Sequence, residues 1–480
     1  MWSDRLTDAK RQRLAERLRK LLPPPVPGSR RAKTPLRVTA SPEQAAERLR
    51  AETGFAWLDG GGGEHRLYGS PLVTLSAGGG RCTATAPGGR ASFGGGGFDL
   101  LEAAFAAWGG DGGTLVGYLG YELGGELESL PPPPPDDFGL PDLQLGLHDW
   151  ALHWDGRSWT LETTDAWSGR AGAAERVIQA ERLLAEAGQR PLPEIKSGRL
   201  ADGPVVSRPN RSDFEAGVRH ALEHIHRGDI YQVNLCRRLE APLRASRIWP
   251  LHLRLRAASP ATHGAFLDLG RGRSLLSVSP ELFLAAREGT VETRPIKGTR
   301  PRGANPREDR ALARELSESE KDRAELAMIV DVARNDLGRV CEPGTIEVPR
   351  HAELVTLPTL HHTVSTVRGR LLPGAGPVEL LRASFPPASI TGAPKIRAME
   401  VAAAVEERRR GPAMGAFGWI SLGGDLELAV AIRTAVAARG LVAYHAGCGI
   451  VADSDPELEL EESAVKARAF LTALGAQEAE

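Results

Sequence analysis

The chain predicts an α+β fold, and three observations carry that reading. Segments of helical and strand period are mixed along the second half without strict βαβ alternation. Near the C-terminus, GAFGWISL, LELAVAIRTAV and LVAYHAGCGIV are separated by Gly423-Gly424-Asp425 and Arg439-Gly440, the turn chemistry of an antiparallel meander. No apolar run approaches the length of a membrane-spanning helix.

Residues 1–35 form a charged leader, read as a short surface helix ended by Pro23 to Pro25. It lacks the apolar stretch of a secretory signal, and Asp4, Asp8 and Glu16 weigh against a transit peptide. Residues 36–190 form an N-terminal subdomain rich in Gly and Trp. Its runs Gly60 to Gly63 and Gly94 to Gly97 read as loops, without the GxxxxGK[ST] or GxGxxG context of a phosphate cradle. Pro131 to Pro135 separates GYLGYELGGELESL from the strand-like LQLGLHDWALHWD. Residues 191–207 read as a linker, and 208–475 as the second, more regular domain. There Ser212 is expected to cap a helix with Phe214, Val218, Leu222 and Ile225 on one face, followed by the strand IYQVNLCRRL. One long helix is expected from about Glu308 to Leu337, with Leu326, Ile329, Val330 and Ala333 as its stripe. SITGAPKIRAME reads as a loop entering a helix, with Pro394 at the first helical position.

Sixty basic side chains balance 61 acidic ones over 480 residues, a formal net charge of −1. That excludes a general binder of nucleic acid or of membrane surfaces. Cys82, Cys236, Cys341 and Cys448 show no CxxC pair and no zinc spacing, which suits a reducing cytoplasm. The 60 basic residues comprise 52 Arg and only 8 Lys, so the positions that remain Lys carry information. They are Lys10, Lys20, Lys33, Lys196, Lys297, Lys321, Lys395 and Lys466.

Several constellations allow chemistry. Glu459, Glu462 and Lys466 share one helix face, either as a solvated acidic face or as a Mg²⁺ site needing a third carboxylate, for which Glu325 is the candidate. Amides around Gly392 to Lys395 either face an anion or belong to a plain helix start. Arg433 shares a strand face with Ala429, Ala431 and Ala435, where it captures a carboxylate or faces solvent. Gly447 and Gly449 allow close backbone approach to a ligand, and Cys448 between them reads as a small buried hydrophobe. Strand alternation sends His361 and His362 to opposite faces, and His224 and His226 diverge on their helix. Lys297, in RPIKGTRPRG, is either an ordinary surface lysine or a nucleophile. At a pKa of about 10.4 only about one in a few thousand is neutral at pH 7, so the second role needs burial or a nearby cation. Arg cannot take that role, because it does not deprotonate in a protein.

SPELF (279–283), PIKGTRPRG (295–303), KDRAELAMIVDVARNDLGRV (321–340), SITGAPKIRAME (389–400), AIRT (431–434) and AGCGIVADSDPELELEE (446–462) together resemble the chorismate-utilising enzymes, the group of anthranilate synthase component I and aminodeoxychorismate synthase component I. The resemblance covers about 208–475 strongly and GYLGYELGGELESLP and LPDLQLGLHDWALHWD moderately. It implies large antiparallel sheets packed as a sandwich with helices outside and the two subdomains intertwined. It also implies Mg²⁺ on Glu325, Glu459 and Glu462, and substrate contacts from Thr391, Gly392, Gly447, Gly449, Arg433, Tyr444 and Lys466. Glu281 would be the general acid, and His362 matches a family histidine near the substrate.

Lys297 stands where anthranilate synthases usually carry Ala. Gln232 stands where water-adding relatives carry Lys. The resemblance therefore favours the aminodeoxychorismate branch, with chorismate as substrate, Lys297 as covalent nucleophile and ammonia from a separate glutaminase subunit. No Gly-x-Cys-x-Gly elbow surrounds Cys448. The rivals are an anthranilate synthase that carries Lys297 and a non-catalytic subunit that keeps the fold. Two departures stand out: Cys448 replaces a small residue, and FAWLDGGGG stands where tryptophan-regulated relatives carry Leu-Leu-Glu-Ser.

Overall fold

The computed structural model describes residues 8–479 apart from 61–62, 111, 196 and 358–359. The start of the leader, Gly61, Gly62, Lys196 and Pro358-Thr359 therefore lie outside the described residues.

Two sheets of 12 strands each carry the fold. Each joins a block of strands from before residue 190 to a block from after 205, so neither half of the chain owns a sheet. The first sheet runs outward from Gln232–Pro242 through Leu441–Ile450, Thr434–Ala438 and Arg273–Ser279 to N-terminal strands. The second begins at Ile296–Pro301 and Leu360–Arg370 and passes through Leu282–Arg287 and Leu426–Val430 to N-terminal strands. Leu58, Tyr68, Val116, Tyr118, Leu267 and Phe417 meet between the sheets in one apolar cluster. The outer faces bury separate clusters under helices, among them Glu320–Gly338 on one side and Pro456–Leu474 on the other. The architecture is an α+β sandwich of two antiparallel sheets clad in helices.

Five local expectations are corrected. LELAVAIRTAV is not one strand: Leu426–Val430 lies in the second sheet and Thr434–Ala438 in the first, so the meander is split across the sandwich. The helix at 308–337 is two, Pro306–Glu318 and Glu320–Gly338, because the Ser319 side chain caps the second through Asp322 N–H. Asn210, not Ser212, caps its helix and accepts from Asp213 N–H, with the Ser212 hydroxyl donating to the Asn210 oxygen. Pro394 is the N-cap of Lys395–Val405, one position earlier than expected. The leader helix, Asp8–Leu21, buries Leu14, Ala15 and Leu18, and Arg31–Leu36 within the expected leader is an edge strand.

One buried ion pair ties the strand Gln232–Pro242 to the turn at 388–393. Arg410 donates to both Glu406 carboxylate oxygens (2.6 and 2.7 Å), to Ile390 O (3.0 Å) and to Asn234 O (2.7 Å). Removing one partner of such a pair strands the other charge. Glu406→Ala is expected to lower unfolding stability by about 3–5 kcal/mol, read as a lower denaturant midpoint at unchanged slope.

Candidate active site

Two of the crossings between the sheets lie side by side, and each delivers a site residue. The first leaves Arg273–Ser279 for Leu282–Arg287 and carries Glu281. The second leaves Leu426–Val430 for Thr434–Ala438 and carries Arg433. Val430 N–H donates to Glu281 O (3.0 Å), Val278 N–H to Arg433 O (3.1 Å), and the Ser279 hydroxyl to Val430 O (2.6 Å). Arg433 sits at φ +48°, a left-handed backbone uncommon outside Gly, where the strand must break to change sheets.

Glu281 is 3% exposed. Burial pushes its carboxyl up to about 7, against the Ser389 hydroxyl, the Lys297 ammonium, the Ile296 N–H and Arg433, which pull the other way. Lys297 lies on Ile296–Pro301, beside a register shift against Leu360–Arg370. Burial lowers its proton affinity and Lys466 adds to that, while Glu325, Glu281 and Glu462 oppose. Space for it comes from Gly449. A Cβ there would overlap the Gln232 side-chain amide and lie 3.2 Å from Lys297 Nζ.

Glu459 and Glu462 project from Pro456–Leu474. The Ser454 hydroxyl donates to Glu459 Oε1 (2.7 Å), whereas Glu459 Oε2 is buried with no hydrogen-bond partner. Glu462 pairs with Lys466 (2.7 Å). Burial raises the Glu462 carboxyl, but Lys466, Lys321 and Lys297 outweigh that and hold it below the usual range. Burial raises Glu325, against Lys297 and Lys321. Lys321, one helical turn before Glu325, is thus an exposed cation that all three carboxylates feel. Ligand atoms of Glu459, Glu462 and Cys448 lie within 4.8 Å of one another. An orphaned buried carboxylate oxygen among further carboxylates fits a hard dication such as Mg²⁺. Cys448 donates its S–H to Glu459 O (3.1 Å) and is kept protonated by burial, as a small filler would be.

Tyr444 packs against the same helix: its ring stacks on Phe470 (4.7 Å between centroids), and its hydroxyl donates to Lys466 O (3.2 Å). Burial pushes that hydroxyl up to about 12, and its neighbours Arg433 and Lys466 only moderate the effect. Lys466 Nζ donates to Gly447 O (2.8 Å). A Cβ on Gly447 would sit 2.5 Å from Leu235 O, so strand pairing itself requires glycine there. His362 Nδ1 lies 2.9 Å from the Thr299 hydroxyl, its Nε2 is buried without a partner, and burial pushes it down to about 4. It is therefore neutral at pH 7. His361 faces the other way, between Thr356 and Asp309.

The structure thus draws Glu281, Lys297, Glu325, Glu459, Glu462, Arg433, Tyr444 and Lys466 into one set of mutually interacting charges. Residues 391–395 differ from expectation. The Thr391 hydroxyl donates to Ala388 O (3.0 Å), Gly392-Ala393 pair with Gln232-Val233, and Pro394 has no N–H. Gly392 and Ala393 thus sit in the strand ladder, and Pro394 contributes no amide ahead of the helix. Sequence reasoning assigned no site role to Ser454, which orients Glu459, or to Ser389, which faces Glu281. Single serines in loops carry no periodic signal.

A desolvated lysine beside a carboxyl that titrates near neutrality, with carboxylates for a dication and cations among them, defines an enzyme for a small anionic substrate. The chain belongs to the chorismate binding enzyme family, whose profile matches residues 97–472. It is 43% identical to anthranilate synthase component 1 of Streptomyces coelicolor, over 76% of this chain and 74% of that protein. It is 40% identical to aminodeoxychorismate synthase component 1 of Salmonella typhimurium, over 75% of this chain and 76% of that protein. The solved anthranilate synthase component I from Streptococcus pneumoniae superposes with a TM-score of 0.73 at 28% identity, covering 85% of this chain and 92% of that one.

Gly449→Ala separates site from scaffold. It is expected to cut turnover of chorismate strongly by displacing Gln232 and Lys297, while the thermal midpoint moves little. Equal losses in both would contradict this placement.

Proposed function

We propose that the chain aminates chorismate to 4-amino-4-deoxychorismate, the reaction of an aminodeoxychorismate synthase component I on the route to p-aminobenzoate and folate. The observation that carries this reading is Lys297: an amine of lowered proton affinity, given room by Gly449 and set beside Glu281. The curated relatives divide between aminodeoxychorismate and anthranilate synthases at similar identity, so the choice rests on this side chain.

Arg433, Tyr444 and Lys466 would hold the enolpyruvyl carboxylate. Mg²⁺ held by Glu325, Glu459 and Glu462 would neutralise the ring carboxylate. Neutral Lys297 attacks C2 as the C4 hydroxyl leaves, and Glu281 gives its proton to that hydroxyl, releasing water. Ammonia then attacks C4, and the C–N bond to Lys297 breaks, returning the amine. His362, neutral and with a free Nε2, is available to the substrate as a hydrogen-bonding group. Ammonia would come from a separate glutaminase subunit, in keeping with the "component 1" naming of the relatives. A cytoplasmic setting suits the four cysteines, which are free and buried. No helix among the described residues is long and apolar enough to cross a membrane.

With chorismate, Mg²⁺ and an ammonium salt, aminodeoxychorismate is the expected product. Anthranilate formed directly, without an added lyase, would contradict the proposal. Glu281→Gln is expected to cost about 10²–10⁴-fold in kcat. A general acid must be protonated, so the wild-type kcat/KM should fall as pH rises through about 7.

A further inference from the structure

Lys395 is, with Lys321, one of two motif lysines that the proposed chemistry leaves unused. Its ammonium does not face the substrate region. It donates to Asp336 Oδ2 (2.6 Å), Ser384 O (3.0 Å) and Pro386 O (3.0 Å), which uses all three of its donors. Asp336 projects from the helix Glu320–Gly338 and is buried.

Behind Glu281 lies a small cavity of about 20 Å³, lined by Glu281, Asp336, Ser384 and Ser389. Both serines are buried and neither hydroxyl makes a hydrogen bond of normal geometry, although Ser389 faces the Glu281 carboxyl closely enough to favour its anion. Leaving a hydroxyl unpaired in the interior costs about 1–3 kcal/mol. A cavity of this size admits about one water, which needs two to four polar partners. The two orphaned hydroxyls and the two carboxyls on its wall supply them.

We propose that one buried water fills this cavity, bonded to Ser384 and Ser389, and that through it the Asp336–Lys395 pair sets how tightly Glu281 holds its proton. The inference rests on the reading of Glu281 as the acid of the amination. Its charged surroundings divide by side. Lys297 and Arg433 face it from the substrate side, and both favour the carboxylate. Asp336 and Lys395 lie across the cavity, with Arg339 beside Asp336. The charges of Asp336 and Lys395 nearly cancel and Arg339 is solvent-exposed, so the cavity side adds little net field and burial keeps the carboxyl protonated near neutral pH. Ser384, Ser389, Asp336 and Lys395 are then positioning residues: they touch no substrate but act through Glu281.

The test titrates Glu281 itself, in the intact chain without substrate. Difference infrared spectroscopy against Glu281→Gln isolates its protonated-carboxyl band. Asp336→Asn keeps an acceptor for Lys395 but leaves its cation uncompensated, so the midpoint of Glu281 should fall, by about one pH unit. Ser389→Ala removes the hydroxyl that, with the water, favours the carboxylate, so the midpoint should rise. A high-resolution crystal structure should show the water in the cavity. A purely structural role would lower the stability of both variants and move neither midpoint. Unmoved midpoints, shifts in the same direction, or a dry cavity would overturn the proposal. Should Asp336→Asn fail to fold, an unmoved midpoint in Ser389→Ala overturns it alone. Turnover keeps the two readings apart. If the midpoints shift as expected while Glu281→Gln turns over chorismate at the wild-type rate, the acid role fails and the network stands.

Discussion

Everything at the candidate site hangs on the double crossing between the two sheets. Sheets in a sandwich are held about 10 Å apart by their inner side chains, so a chain that changes sheet must break its strand and expose backbone groups. Here the two crossings satisfy each other: Val430 with Glu281, Val278 with Arg433, and Ser279 with Val430. The left-handed backbone at Arg433 is held by this mutual bonding. An acid and a guanidinium are thereby fixed at neighbouring points of a rigid frame, and the lysine strand, the C-terminal helix and the glycines of Leu441–Ile450 converge on them.

Burial then does the electrostatic tuning. Each pKa unit corresponds to about 1.4 kcal/mol. The same desolvation raises Glu281 and lowers Lys297, moving both toward the states that acid and nucleophile need. The neighbouring charges mostly oppose these shifts; only Lys466 helps, by lowering Lys297. Glu281 keeps its raised value although Lys297 and Arg433 both favour its anion, so exclusion of water wins. On the C-terminal helix Glu462 shows the reverse balance, whereas burial raises Glu459. Lys466 holds Glu462 ionised despite its burial, while Glu459 keeps one oxygen free of any donor. One ionised and one uncommitted carboxylate suit a cation site.

Much of this was legible in the sequence. The shared face of Glu459, Glu462 and Lys466 follows from helical spacing, and the Glu462–Lys466 pair forms as an i,i+4 pair should. The divergence of His361 and His362 follows from strand alternation, and one is tied to Asp309 while the other keeps a free nitrogen. The scarcity of Lys pointed to Lys297, and also to Lys395, whose ion pair no local pattern reveals. What was illegible depended on tertiary context. LELAVAIRTAV has unbroken strand propensity, and only the partner strands decide that it changes sheet at Arg433. The apolar stripe of Glu320–Gly338 conceals the break at Ser319, which is made by one capping hydroxyl. RAKTPL reads as a charged leader because an edge strand tolerates charge on its open side.

The central claim is that Lys297 is a nucleophile rather than a charged neighbour of the substrate. Intact-mass measurement during turnover of chorismate with Mg²⁺, with ammonia withheld, tests it most directly. The account expects the chain to gain the mass of chorismate less one water, to lose that increment when ammonium is added, and to show no increment in Lys297→Ala. An unmodified chain under those conditions, together with full-rate amination by Lys297→Ala once ammonium is present, would contradict it.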